Sequence, residues 1–190
     1  MTAKITASTS SGLVLDSDMS GSLALVANGI TVATLNGTGA NSGIQLGTSM
    51  APAFSAYATS SQTVSSAVFT KVALQAEEFD TANCFDATTN YRFTPNVAGY
   101  YQFSSFVSGP SNSTQNQITA IYKNGSIYKY LGAVQNLNAT AVVNDGVSGS
   151  MLISLNGSTD YVELWLYQQT GSTVNTAGTA YLTGFLARSA

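Results

Sequence analysis

The sequence predicts an all-β protein, an antiparallel sandwich or barrel, on three observations. Short runs rich in apolar and β-branched residues recur along the chain, separated by Gly, Asn and Pro turn signals. No stretch sustains a helical period between caps. Three runs, those around Tyr101, Trp165 and Phe185, carry large apolar side chains on both faces. A strand apolar on both faces is usually buried on both. One face belongs to the core between two sheets. The other needs a cover, and a neighbouring copy of the chain is the simplest one.

Residues 1–50 contain no aromatic side chain. Leu13-Val14-Leu15, Leu23-Ala24-Leu25-Val26, Ile30-Thr31-Val32 and Ile44-Gln45-Leu46 alternate with Gly, Ser, Thr and Asn. Asn28-Gly29 between two of these pieces is a hairpin signal, because a type I′ turn requires positive φ at both central positions. So thin a segment cannot bury a core alone. Its leucines and valines gain partners if three copies wrap around one axis as a stem; the alternative is an arm that orders only on docking.

Met50-Ala51-Pro52 marks a boundary, so a docking and trimerisation arm or stem is expected over 1–50 and a head over 51–190. In the head, 54–57 reads as a short strand and 68–74 as another. Glu77, Glu78, Asp80 and Asp86 flank Phe79 and Phe85 in a loop-rich stretch. Residues 91–107 read as strand, corner, strand, punctuated by Pro95 and Gly99. Tyr101, Phe103, Ser105 and Val107 then point one way, and Tyr100, Gln102, Ser104 and Phe106 the other. The first set is expected in the inter-sheet core, with Tyr100 and Phe106 on the subunit side. Residues 108–116 form a polar loop. Strands over 118–123 and 126–130 flank a second hairpin signal, Asn124-Gly125. Residues 137–145 are loop or weak strand, and 150–155 a strand ending at Asn156-Gly157. Asp160 precedes 161–167, where Val162, Leu164 and Leu166 share one face and Tyr161, Trp165 and Tyr167 the other. A polar loop over 170–179 leads to a last strand over 181–188.

Charge is scarce. Asp, Glu, Lys and Arg make up 8% of the chain, against roughly 25% in an average soluble domain. A net charge of −3 with six basic residues excludes nucleic-acid binding, which needs clustered Lys and Arg to neutralise phosphates, and disfavours anionic membranes. No apolar run approaches the roughly 20 residues of a membrane span. The absence of histidine removes the commonest general base and zinc ligand and excludes a conventional Ser-His-Asp triad. Cys84, the single cysteine, cannot form an intrachain disulfide and is expected as a small buried hydrophobe. No P-loop is present. A polar surface of hydroxyls and amides suits an extracellular β appendage, yet no apolar signal segment follows Met1. Together these point to a virus-particle component released by lysis.

Glu77, Glu78, Asp80 and Asp86 supply oxygen ligands of the kind calcium takes. A solvated acidic loop is the plainer reading, since neither EF-hand spacing nor an Asp-x-Asp repeat is present. A carboxylate pair for glycoside hydrolysis would draw on Asp145, Asp160 or Glu163. Tyr128, Tyr130, Tyr161, Trp165 and Tyr167 can stack on sugars, but their alternating positions suit core and subunit packing better. The loops over 108–116, 135–145 and 168–177 are rich in amides and hydroxyls that hydrogen-bond polysaccharide. Their Asn112, Gln115, Asn138, Asn144 and Asn175 are the candidate ligand-binding residues, with plain solvated turns as the alternative.

Five motifs in order resemble the globular head of complement component one, subcomponent q. They are Ala53-Phe54-Ser55-Ala56; Phe93, Pro95, Gly99, Tyr101 and Phe103; Ile121 through Asn124-Gly125; Asp160 with Val162, Leu164 and Leu166; and Thr183-Gly184-Phe185-Leu186. The match covers about 51–190. Residues 1–50 are similar to N-terminal parts of bacteriophage fibre proteins, and no collagen-like Gly-x-y stalk precedes the head. The resemblance implies a ten-strand jelly roll of the tumour-necrosis-factor type, assembled as a tight homotrimer, and a binding head in place of an enzyme. It places Asp160 and Glu163 in a structural strand. It implies no cofactor beyond the calcium that some such heads hold near the trimer axis, and no ligand residue of this chain is assigned to it. Tyr100, Phe106, Tyr161, Trp165 and Tyr167 are then the expected trimer contacts. The expected function is a non-enzymatic bacteriophage structural protein, located on the virion. It would be a trimeric fibre or spike whose head contacts a host-surface glycan and whose residues 1–50 dock to other virion proteins. The alternatives are a trimeric capsid decoration protein anchored by 1–50 and a secreted bacterial adhesion module.

Overall fold

The computed structural model describes residues 22–27, 30–36, 44–45, 51–109, 115–136, 146–176 and 178–190. The chain divides into two units, Met1–Ser49 and Met50–Ala190. In the first, β1 (Ser22–Ala27), β2 (Ile30–Asn36) and β3 (Ile44–Gln45) form an antiparallel sheet in the order β1-β2-β3. Ala27 stands opposite Ile30, so β1 and β2 are joined through Asn28-Gly29, which lie outside the described residues.

The second unit holds β4 (Ala53–Tyr57), β5 (Thr63–Val64), β6 (Thr70–Lys71), β7 (Ala76–Asp80), β8 (Phe85–Asp86), β9 (Arg92–Phe93), β10 (Gly99–Ser108), β11 (Gln115–Lys123), β12 (Ser126–Asn136), β13 (Gly146–Leu155), β14 (Val162–Gln168), β15 (Val174–Asn175) and β16 (Ala180–Ser189). One antiparallel sheet runs β13-β10-β16-β4-β7. The other runs β12-β11-β14-β9-β8, with β6 also pairing β14, and β15 pairs β5 separately. Apart from the consecutive pairs β11–β12 and β8–β9, neighbours in each sheet are distant in sequence, the crossover pattern of a jelly roll. The β11–β12 connection is the Asn124-Gly125 turn, with φ of 54° and 78°, the left-handed pair that a type I′ hairpin requires.

Period-two alternation sorts side chains between core and exterior. In β10, Tyr101, Phe103, Ser105 and Val107 are buried. In β14, Val162, Leu164, Leu166 and Gln168 are buried. The two inner faces meet on an aromatic stack. Phe54 lies between Phe85, at 5.0 Å and 19°, and Phe93, at 4.6 Å and 15°. Phe103 and Tyr101 pack edge-on against Phe93 at 5.8 and 5.4 Å. Fully burying each such ring contributes roughly 1.5–3 kcal/mol. The polar end of Tyr101 is satisfied by donating to the Val97 carbonyl at 2.7 Å, and burial pushes its phenol up to about 12. The stack needs a gap in β16: a Cβ on Gly184 would fall 2.8 Å from both Phe54 and Phe103. Gln168 is buried with its amide used locally, donating to Val64 and Ser172 carbonyls at 3.0 Å and accepting from the Thr170 N–H at 2.7 Å.

Several boundaries differ from the sequence reading. Residues 68–74 contain only the two-residue β6, although Val72 and Leu74 are buried. The acidic stretch contains a full edge strand, β7, whose ladder with β4 runs from Phe54–Asp80 to Tyr57–Ala76. The polar loop is shorter than 108–116, because Ser108 ends β10 and Gln115 and Asn116 open β11. Strand β12 continues to Asn136, well past Tyr130. The expected loop or weak strand over 137–145 lies outside the described residues.

Candidate ligand-binding and assembly surfaces

Directly opposed residues in a ladder share a sheet face, so register assigns every outward side chain. On the five-stranded sheet, Gln102 opposes Leu152 and Phe185, Phe106 opposes Tyr181, Tyr181 opposes Tyr57, and Ser55 opposes Phe79. Tyr100 joins the same face. Tyr100 is 44% exposed, Leu152 52% and Phe185 51%, and Tyr57, Phe79 and Tyr181 are exposed too. Phe106 stacks on Tyr181 at 5.8 Å. Most of the large exposed apolar side chains of the described head therefore lie on one sheet face.

The outer face of the other sheet differs in chemistry. Trp165 is half-buried and stacks on Tyr122 at 4.2 Å and 17°. Its indole N–H donates to Glu163 Oε2 at 3.1 Å, and Glu163 Oε1 pairs with Lys71 Nζ at 2.8 Å. Lys71 also donates to the Asn90 carbonyl. Glu163 is buried, and a buried carboxylate persists only when paired and hydrogen-bonded. The Arg92 guanidinium lies 4.4 Å over the Tyr161 ring. Asp160 accepts from Asn124 Nδ2 at 2.8 Å and pairs with Lys123 Nζ at 3.0 Å. The Asn124 bond, more than the lysine, holds its carboxyl below the usual range. Asp160 and Glu163 are thus each committed to a lysine, and Asp145 lies outside the described residues.

Beside Trp165 the same face opens into a groove of about 490 Å³. Phe69 stacks on Tyr130 at 6.1 Å and 10° and lies 5.2 Å from Tyr167. Asn116, Gln135 and Gln169 complete the rim. Asn116 opposes Gln135 in the β11–β12 ladder, and its Nδ2 donates to Gln169 Oε1 at 3.3 Å. No charged side chain lines the groove among the described residues.

The expected trimer contacts fall on two sides of the sandwich: Tyr100 and Phe106 on the five-stranded sheet, Trp165 and Tyr167 on the other, with Tyr161 at the entry to β14. Of the expected ligand-binding residues, Asn112, Asn138 and Asn144 lie outside the described residues. Gln115 is the first residue of β11, opposite Asn136. Asn175 is exposed in β15, where its Oδ1 accepts from Thr63 Oγ1 at 2.9 Å. Asn116, Gln135 and Gln169 fall within the stretches expected to hydrogen-bond polysaccharide, the first two in strands β11 and β12, whereas Phe69 was not singled out by sequence. For Phe69 no local signal exists, because only the pairing of β6 with β14 brings it there.

The acidic residues serve the backbone. Asp80 accepts from the N–H groups of Cys84 and Phe85, both at 2.6 Å, and of Ala82 at 3.1 Å. Asp86 accepts from the N–H groups of Thr88, Thr89 and Asn90 and from Asn90 Nδ2. The Thr89 and Thr88 amides hold the Asp86 carboxyl well below the usual carboxylate range. Glu78 accepts from Ser55 Oγ at 2.8 Å. Burial, then the charges of Asp80 and Asp86, raise the pKa of Glu77. Among the described residues no three of these side chains assemble as a cation site. Cys84 is buried and free, and burial raises its thiol pKa.

No family model matches the sequence, and no curated protein matches it. Solved structures do. Murine APRIL at pH 5.0 superposes with a TM-score of 0.50 at 13% identity, over 71% of this chain and 98% of that one. The head is a jelly roll of the tumour-necrosis-factor type. Murine APRIL at pH 8.5 gives a TM-score of 0.49 at 11% identity over 71% and 98%. Eiger TNF from S. frugiperda gives 0.48 at 10% over 73% and 96%. At such identities the likeness is one of fold.

Proposed function

We propose that the protein is a non-enzymatic structural component of a bacteriophage particle. It is a homotrimeric appendage of fibre or spike type, whose head contacts the host surface and whose residues 1–50 fasten it to other particle proteins. The observation that carries this reading is the outer face of the five-stranded sheet. Tyr57, Phe79, Tyr100, Leu152, Tyr181 and Phe185 are all exposed there, and large apolar side chains gathered on one exposed sheet face mark an interface. A three-fold contact is heterologous, so this face meets a different surface of the next copy. The subunit contact is accordingly narrowed to the side of Tyr100 and Phe106. The scarcity of charge and the pairing of Asp160 and Glu163 with lysines support a binding role over a catalytic one.

Light scattering of the full chain tests the assembly: the expected mass is three times 19.6 kDa, and a monomer at micromolar concentration overturns it. Antibody-labelled cryo-electron microscopy of purified particles tests the location. Label on a fibre or spike is expected. Label over the shell, with loss of capsid stability on deletion of the protein, establishes the capsid decoration alternative. Absence from particles, with secretion by bacteria, establishes the adhesion module.

A further inference from the structure

We infer that the groove between β12, β11 and β14 is a binding site for a neutral oligosaccharide. This deepens the reading of the head as a host-contact module and rests on it. Phe69, Tyr130 and Tyr167 form an aromatic wall, with Tyr130 61% exposed. A pyranose presents an apolar C–H face and a rim of hydroxyls, so it needs an aromatic platform and polar groups at one edge. The amide rim supplies the second part. Asn116 Nδ2 donates to Gln169 Oε1, which fixes the two amides side by side and directs Asn116 Oδ1, an acceptor, and Gln169 Nε2, a donor, to other partners. Such a donor–acceptor pair matches neighbouring hydroxyls, each of which both donates and accepts. Gln135, opposite Asn116, extends the rim.

The charge pattern selects among ligands. The groove is lined by aromatic, aliphatic and amide groups without a cation, so phosphate, sulfate and uronic-acid ligands find no counter-charge. Of the cations nearest in sequence to the aromatic wall, Lys71 is committed to Glu163 and the Asn90 carbonyl, and Lys129 lies over the Tyr128 ring. An extended peptide would add as a strand at a sheet edge, whereas the groove lies on the sheet face. A volume of about 490 Å³ falls within the usual range of small-ligand sites, about 300–1,000 Å³.

The test uses the full-length trimer and a panel of short neutral gluco-, manno-, galacto- and N-acetylhexosamine oligosaccharides, read by saturation-transfer NMR and titration. At least one is expected to bind, with little salt dependence because no ion pair forms. Tyr130→Ala is expected to weaken binding about tenfold through the lost stacking platform, and Gln135→Ala several-fold. Both positions are exposed, so thermal melting and trimer mass should match the wild type. Phe185→Ser, on the other sheet, should leave affinity per head unchanged. The inference is overturned if no neutral oligosaccharide binds, if only anionic ones bind, if both groove variants bind as the wild type does, or if Tyr130→Ala breaks up the trimer, which would make the groove a subunit contact. A trimer on the particle that binds no neutral sugar sinks the site and leaves the appendage reading standing. Sugar binding by a protein absent from particles does the reverse.

Discussion

Replacing Gly184 by alanine probes whether the core stack is as tight as its geometry indicates. The new methyl would lie 2.8 Å from Phe54 Cε1 and Phe103 Cδ1 and 2.9 Å from Phe103 Cε1. Carbon atoms rest at about 3.5–4.0 Å, so both rings must retreat by on the order of 0.7 Å. Neither has room to do so. Phe54 is held between Phe85 and Phe93, and Phe103 is packed by Phe93 and Tyr101. Overpacking of this kind costs about 1–3 kcal/mol. Restricting the unfolded chain returns about 0.5–1 kcal/mol, since Gly184 does not adopt positive φ. The expected net loss is about 1–2 kcal/mol, a fall in Tm of roughly 2–8 °C for a chain of this size. Melting at fixed protomer concentration measures it, because assembly also shifts Tm. An unchanged or raised Tm would refute the argument and show that the two inner faces leave a gap beside β16.

Phe185→Ser, one residue on, points the other way. It should leave protomer folding within about 0.5 kcal/mol but shift sedimentation toward monomer on dilution; unchanged assembly would remove this face from the subunit contact. Trp165→Ala should cost about 2 kcal/mol, less than the 3–5 of a fully buried aromatic, since the half-buried ring loses its Tyr122 stack and strips an N–H donor from Glu163. A loss above about 4 kcal/mol in chemical denaturation would mean a second subunit covers the ring. Asp86→Ala should destabilise by on the order of 1 kcal/mol at neutral pH through the lost turn hydrogen bonds. Because folding lowers the pKa of this carboxyl, its contribution is full above the unfolded value of about 3.9 and is lost as pH falls through the folded one. The gap between wild type and variant should close in acid; a gap constant with pH would show that the carboxylate is not what holds the turn.

Alternation made the long strands readable. The phases of Tyr101, Phe103 and Val107, and of Val162, Leu164 and Leu166, follow from period two alone, and Asn124-Gly125 announces its own turn. What alternation cannot supply is which sheet a strand joins. Tyr100 and Trp165 look alike locally, each large and apolar opposite a core residue, yet they end on opposite sides of the sandwich. The groove was hidden for the same reason: Phe69 reaches Tyr130 and Tyr167 only through β6 docking on β14, a pairing set by tertiary packing. The acidic stretch reads by sequence as a solvated loop, because nothing local shows that its carboxylates accept backbone N–H groups. Asp80 and Asp86 spend their oxygens on the turns that follow them, leaving Ala76–Asp80 to pair as an edge strand.

The scarcity of charge has a consequence for resistance to proteolysis. Trypsin cuts after Lys and Arg, and proteases nick extended, mobile loop tips most readily. In the head, Lys71, Arg92, Lys123, Lys129 and Arg188 are the basic residues, and each lies within a strand. Lys71 and Lys123 are further tied by ion pairs and Arg92 by the Tyr161 ring. Lys71 and Lys123 close their strands, so the bonds after them enter a loop and the Asn124-Gly125 turn, but the ion pairs restrain both side chains, and tryptic digestion within the native head is expected to be slow. Loops of amides and hydroxyls make a surface that can remain intact in a proteolytic environment without a single disulfide.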